Sequence, residues 1–403
     1  MATIAAQILL QYALLAVVTP AAIYLGVLGL VIVVPGLQTH ALYLHRVRLA
    51  WFKDLNIPEA FGFLHNQVTS FSIKSDDGET LHAWHVLPLT LYRHHQKELQ
   101  DQPSGFVHDL SSRLSFKLLR DDPNTHVVIY LHGTAGCLAS GYRPDAYRSL
   151  YSTAPEKIHV VTVDYRGYGL SSGTPSEEGL LLDAITLAKW VMNVAGIPPS
   201  RIVIFAQSLG TAVAISLIEY LAAQELPVSF AGTVLVAPFS DVSTLTATYR
   251  IGGVIPVLSP LSMFPPLLAF FNGFIKSTWR SKDRITKFIK RSENEEKIVN
   301  YHLTLIHAQD DTTIPCIHTE VLYWHAVNAT IPTGISYEEL ERNTAMKKTD
   351  LGAGGWAMEW RTKKGVIREE LLKYGSHDKL GAYPGIAIAV FRAFHNTDPM
   401  FGG

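Results

Sequence analysis

From Met1 to His45 the chain carries no aspartate, glutamate, lysine or arginine. That absence excludes an ordinary solvated surface for the segment. Within it, Ala13 to Val34 is almost entirely apolar, broken only by Thr19, Pro20 and small or aromatic residues. About 20 apolar residues suffice to cross the hydrocarbon core as a helix. A cleaved signal peptide opens on a basic region and has a shorter apolar core. A buried core helix is rarely so long without a charge. A single membrane anchor is therefore expected in residues 1–45, ahead of a folded domain over residues 60–403. Arg46, Arg48 and Lys53 follow the segment, which by charge places the carboxyl-terminal bulk in the cytosol. The sequon Asn328-Ala329-Thr330 points to the opposite side.

Cysteine is also scarce. Cys137 and Cys316 are the only two in 403 residues, which excludes a disulfide scaffold and a multi-cysteine zinc site. Both read as small buried hydrophobes. An excess of either charge is missing too: 34 Lys+Arg stand against 35 Asp+Glu, so nothing points to a nucleic-acid partner. There is no internal repeat and no low-complexity tract. The length is ample for a large core.

What the chain does have is the stretch I-V-I-F-A-Q-S-L-G-T-A, Ile202 to Ala212. Ile202 to Ala206 reads as a short buried strand and Thr211 onward as a helix. Between them Ser208 sits on a sharp turn with small residues two before and two after, the pattern of a nucleophile elbow. A bulky side chain at either flank would collide where the backbone doubles back. The serine then stands at a helix N-terminus, where backbone N–H groups can receive an oxyanion. Ala206 takes the place of the usual first glycine.

The partners of a nucleophile are sought just beyond other strand ends. Val68 to Lys74 and Glu79 to Leu87 alternate like a hairpin around Asp76-Asp77-Gly78. Leu89 to Asn124 reads as a polar helical insertion. The apolar run Val127 to Leu131 ends in His132-Gly133-Thr134-Ala135-Gly136, a loop of the kind that supplies a second oxyanion N–H. That assigns the oxyanion hole to Leu209 and Thr134. His159 to Val163 is the next strand, followed by the capping box Thr174-Pro175-Ser176-Glu177 and a helix. Further strands are expected at Gly232–Val236, His302–Ile306 and Gly365–Tyr374. Strands alternating with helices predict an α/β fold with a mostly parallel central sheet covered on both faces.

Asp311 follows the His302–Ile306 strand and His377 follows the last strand, so serine, acid and base occur in α/β-hydrolase order. Ser208 would attack an acyl carbonyl and His377 would take its proton. Asp311 would hold the imidazole and stabilise its charged form. Asp310 and Asp241 remain rivals for the acid, and His307 and His395 for the base. No cofactor or metal is implied. A catalytically inactive hydrolase-fold scaffold is the alternative to an enzyme.

Between about residues 239 and 300 the alternation stops. Ile251 to Ile275 is uncharged, and Pro256, Pro260, Pro265 and Pro266 would break any continuous span. It reads as short helices of a lid around an apolar pocket, or equally as an insertion packed on the core. Lys276 to Arg291 carries seven basic residues around Ile285, Phe288 and Ile289. Such a helix could touch anionic lipid, although a solvated face is the preferred reading.

Three signatures together resemble one branch of the α/β-hydrolase superfamily: L-H-G-T-A-G at Leu131 to Gly136, D-Y-R-G-Y-G-L-S-S-G-T-P-S-E at Asp164 to Glu177, and H-A-Q-D-D-x-x-I-P at His307 to Pro315. With the anchor, the chain is similar to membrane-anchored monoacylglycerol and lysophosphatidylserine lipases of the abhydrolase-12 type. The resemblance implies Ser208 as nucleophile, Asp311 as acid and His377 as base. It also implies a single-pass membrane enzyme of the endoplasmic reticulum with a lumenal catalytic domain, against the charge count. Departures are Ala206, Thr134 where asparagine is frequent, and the long stretch Ala329 to Lys364. The expected partner is a monoacyl lipid ester. The alternative is a small-molecule ester or thioester of a biosynthetic pathway.

Overall fold

The computed structural model describes residues 2–47, 49, 50, 52–251, 253–256, 259–294 and 300–402. Arg48 of the basic cluster, and residues 252, 257, 258 and 295–299 of the lid segment, lie outside them.

The strands are β1 (Val68–Lys74), β2 (Thr80–Val86), β3 (His126–Leu131), β4 (Ile158–Val163), β5 (Ile202–Gln207), β6 (Gly232–Val236), β7 (Arg250–Ile251), β8 (Ile255–Pro256), β9 (Tyr301–Ala308), β10 (Thr349–Gly352), β11 (Gly355–Arg361) and β12 (Gly365–Leu372). All but β7 and β8, which pair with each other, form one sheet in the order β1-β2-β4-β3-β5-β6-β9-β12-β11-β10. The middle, β4 to β12, is parallel, and an antiparallel pair flanks it on each side. Every residue of β3, β4, β5, β6 and β9 is buried. Strands covered on both faces can be apolar without alternation, which is why these runs read as continuous.

Two cores result, one per face. Helices Glu177–Lys189, Leu209–Ala222, Ser281–Asn294 and Ile317–Asn328 bury Leu180, Val213, Ile285 and Leu322 in the first. Helices Arg143–Leu150 and Pro384–Thr397 bury Tyr147, Ile386 and Val390 in the second. The basic helix thus turns Ile285, Phe288 and Ile289 inward. Lys282 and Arg284 form ion pairs with Asp241 and Glu177.

The pair β10–β11 adds strands that the sequence pattern does not announce. Every residue of β10 is exposed, so it has no apolar alternation, and its partner's backbone holds it in place. Its turn uses Ala353 and Gly354, both with positive φ.

The amino-terminal helix runs Ala2–Val33, and its segment Ile4–Val31 is long and apolar enough to cross a membrane. A second helix, Pro35–Tyr43, follows. Its last turn belongs to the body: Tyr43 is buried in the first core. The Tyr43 carbonyl accepts from Thr134 Oγ1 at 2.7 Å, Tyr168 Oη at 2.7 Å and Ala135 N at 3.1 Å.

The crossing of the Leu209–Ala222 helix over β3 sets the geometry of the centre. A Cβ added at Gly210 would lie 2.1 Å from the Leu131 carbonyl oxygen. Gly210→Ala should therefore destabilise the protein by at least about 1–3 kcal/mol through overpacking against backbone. Gly385→Ala, in a helix with open space around it, should leave the melting temperature unchanged or raise it. Thermal unfolding of the two variants checks the contrast.

Candidate active site

Each functional side chain leaves the carboxyl end of a parallel strand. Ser208 follows β5 with φ 54° and ψ −121° and caps the next helix. This is a backbone region that non-glycine residues avoid. Its N–H is bonded to the Val236 carbonyl at 2.9 Å, and its own carbonyl accepts from Thr211 N at 2.9 Å. Those bonds hold the turn. Asp311 follows β9 and His377 follows β12.

The three meet in one run of hydrogen bonds. His377 Nε2 lies 3.0 Å from Ser208 Oγ, and His377 Nδ1 lies 2.7 Å from Asp311 Oδ2. The other carboxylate oxygen, Asp311 Oδ1, accepts from Thr313 N at 2.8 Å and Ile314 N at 2.9 Å. Burial would push the Asp311 carboxyl up, but hydrogen bonds from His307 and His377 hold it well below the usual range. Burial likewise favours neutral His377, yet the bond and charge of Asp311, with the charge of Asp378, raise its pKa above the ordinary histidine value. The arrangement is a hydroxyl, a proton acceptor and a fixed anion in line.

The rivals are placed elsewhere. Asp310 is exposed and its Oδ1 accepts from Ser376 N at 2.8 Å, so it holds the turn that carries His377. Asp241 caps the helix Val242–Thr248 and pairs with Lys282 at 2.8 Å. His307 is buried behind Asp311. Its Nε2 faces Asp311 Oδ2 at 3.1 Å and the Ile314 carbonyl at 2.9 Å. With two acceptors before it, that nitrogen carries the proton and donates. His395 sits in the last helix beside Phe391 and Phe401. Burial raises the thiols of Cys137 and Cys316.

The His132–Gly136 loop passes directly over the serine: a Cβ at Gly133 would come within 3.2 Å of Ser208 Cβ. Leu209 opens its helix, so its N–H has no intrahelical partner. The carbonyls of Gly133, Thr134 and Ala135 all turn toward Arg143 Nη2 at 2.9, 3.0 and 2.9 Å. Arg143 thereby fixes the direction of that loop's peptides. Gln207 likewise holds His377, donating from Nε2 to its carbonyl at 2.8 Å. Motif spacing points to neither residue. Gln207 adjoins Ser208 and was legible only as part of the elbow, and Arg143 lies on a helix after the loop.

The family model for the alpha/beta hydrolase family matches residues 128–331. The chain belongs to this family. A solved alpha-beta hydrolase from Vibrio vulnificus shares the fold, with a TM-score of 0.52 at 16% identity over 89% of this chain and 92% of that one. Among curated relatives, this α/β-hydrolase is 30% identical to lysophosphatidylserine lipase ABHD12 of Rattus norvegicus over 72% of its own length and 64% of the relative's. It is 28% identical to the Gallus gallus protein of that name, over 82% and 76%, and 32% identical to human protein ABHD12B over half of each. These relatives are of the abhydrolase-12 type read from the motifs. The chain spans less than two thirds of the rat relative's length.

The His377 imidazole provides a test without substrate. In histidine-labelled protein its NMR titration should fall above pH 6.5. Asp311→Asn removes both the accepting oxygen and the charge, so the midpoint should move to lower pH. Asp310→Asn should leave it in place, and an equal shift in the two variants would contradict the assignment.

Proposed function

We propose that this α/β-hydrolase cleaves carboxylic esters of monoacyl lipids through an acyl-enzyme on Ser208. The observation that carries the reading is the continuous run Ser208 Oγ, His377 and Asp311, at 3.0 and 2.7 Å. Ser208 Oγ attacks the acyl carbonyl while His377 Nε2 takes its proton. Asp311 stabilises the imidazolium, and the amides of Leu209 and Thr134 receive the oxyanion. Collapse of the tetrahedral intermediate returns the proton from His377 to the leaving alcohol. Water, deprotonated by the same imidazole, then releases the fatty acid. Since the base must be neutral, kcat/KM rises with pH through the raised pKa of His377.

Two features support a lipid. Relatives are named lysophosphatidylserine lipases, and the lid is attached to the apolar amino-terminal helix. Leu261, Leu267, Leu268 and Phe271 of the lid pack with Tyr24 and Leu28 of that helix. Gln38 clasps the end of the lid, donating to the Phe274 carbonyl at 2.9 Å and accepting from Lys276 N at 3.0 Å. At about 1.5 Å per residue the 28-residue span Ile4–Val31 is about 42 Å long, about 12 Å more than a hydrocarbon core. Shared between the two ends, that excess places about the last turn, with Leu28, at headgroup level when the helix anchors the chain, and Tyr24 just inside it. Met263, Phe264, Phe270 and Phe274 project exposed from the lid beside them. A single acyl chain can pass from the bilayer along that apolar surface.

Each buried methylene contributes about 0.8 kcal/mol, so specificity should climb with acyl length. The test is the ratio of kcat/KM for a long-chain monoacylglycerol in vesicles to that for a short soluble ester. Removing residues 1–33, which leaves Tyr43 in its core, should lower the ratio at least about 10-fold while sparing the short ester. Phe264→Asp with Phe270→Asp should lower it as well. A ratio unchanged in both proteins would favour a small-molecule esterase.

A further inference from the structure

A cavity of about 420 Å³ opens beside β11 and β12, and Ser208 is not among the residues that line it. Most of its wall lies beyond residue 331, where the family match ends. Three carboxylates line it: Glu320 from the helix Ile317–Asn328, Glu341 from the helix Tyr337–Thr344 and Glu369 from β12. One cation, Lys348, faces them.

Glu369 is the anomaly. It is only 2% exposed, and its Oε1 has no hydrogen-bond partner. The hydroxyl of Tyr323, on the same wall and equally buried, has none either. A buried carboxyl without a partner costs several kcal/mol if charged. Burial, with the negative charge of Glu320, accordingly raises the Glu369 carboxyl to about 8. Glu320 is already engaged, accepting from Tyr337 Oη at 2.9 Å. Opposite the acids stands Trp356, and the Lys348 ammonium lies over its ring, 4.0 Å from the centroid. The wall therefore already accommodates an ammonium by cation–π attraction.

We propose that this cavity binds a small primary amine in its ammonium form, with the charge on Glu369 and the apolar body against Trp356. The excess of acids over Lys348 selects a cation. Among the described residues no group of three or more histidine, cysteine, aspartate or glutamate side chains is placed to hold a metal ion, and the Trp356 ring beside the acids suits an organic cation. The Glu369 oxygen, once ionised, and the Tyr323 hydroxyl can each accept from an N–H donor, and a quaternary ammonium has none. The site does not depend on the role of Ser208.

The experiment is calorimetric titration of the full-length protein in detergent with 2-phenylethylamine, beside the uncharged isostere 2-phenylethanol and the quaternary benzyltrimethylammonium. The primary amine should bind and the other two should bind at least 10-fold more weakly. A cation on Glu369 favours its ionised form, so binding at pH 7 should release protons, read from the dependence of heat on buffer. Glu369→Gln, close to isosteric, should weaken the amine at least 10-fold and abolish the proton release. Lys348→Met, which removes the competing ammonium over Trp356, should tighten binding. Fluorophosphonate labelling and thermal melting of each variant show that the fold is intact. Amine and alcohol binding alike, or Glu369→Gln binding as well as the parent, would overturn the proposal. If Glu369→Gln fails to fold, unchanged affinity in both Lys348→Met and Glu341→Gln would overturn it instead.

Discussion

The contact on which the site depends is the approach of Gly210 to the carbonyl of Leu131, where even one methyl would penetrate the backbone of β3. It lets the helix after β5 start immediately behind the strand, which forces Ser208 into its unfavourable φ and ψ. The strain is over-determined by the bonds of Ser208 N and O to Val236 and Thr211. Because β3 and β5 are neighbours in parallel register, the same contact brings the His132–Gly136 loop over the serine. Ser208 and the loop over it are thus placed by one steric fact, while Asp311 and His377 arrive from β9 and β12, also neighbours.

A second chain of contacts runs from the apolar amino-terminal helix to that loop. Tyr24 and Leu28 pack on Leu261, Leu267, Leu268 and Phe271, Gln38 bonds to the backbone of Phe274 and Lys276, and the Tyr43 hydroxyl donates to Ser277 at 2.8 Å. The Tyr43 carbonyl, with three donors upon it, fixes Thr134 and Ala135. From the other side Arg143 gathers the carbonyls of residues 133–135. The amides that follow the Thr134 and Ala135 carbonyls donate to the Tyr43 and Val47 carbonyls, so of these peptides the one held at the Gly133 carbonyl leaves its N–H, that of Thr134, as the candidate oxyanion donor.

The central strands were legible because burial on both faces leaves uninterrupted apolar runs. The elbow was legible because its flanking small residues answer a collision. Ser208, Asp311 and His377 could be proposed from their order after strands, with Asp311 favoured over its neighbour Asp310, and the contacts of the two carboxylates differ. One oxygen of Asp310 caps the turn at Ser376, and Asp311 alone reaches His377. The β10 strand carries no periodic signal, since neighbouring backbone and not apolar alternation holds it. The roles of Arg143 and Tyr43 rest on backbone carbonyls, which no side-chain pattern encodes. Asn328 shows the converse: its sequon is plain in the sequence, yet its Oδ1 is engaged by Ile335 N at 2.7 Å.

The account stands on a serine hydroxyl activated by His377. Fluorophosphonate labelling followed by peptide mass spectrometry reads that activation directly, because only an activated serine forms the phosphonyl ester at useful rates. The account predicts a single modified peptide carrying the adduct on Ser208, no labelling in Ser208→Ala, and labelling slowed on the order of 10³-fold in His377→Ala. Equal labelling of the parent and His377→Ala, or an adduct on another residue, would contradict it.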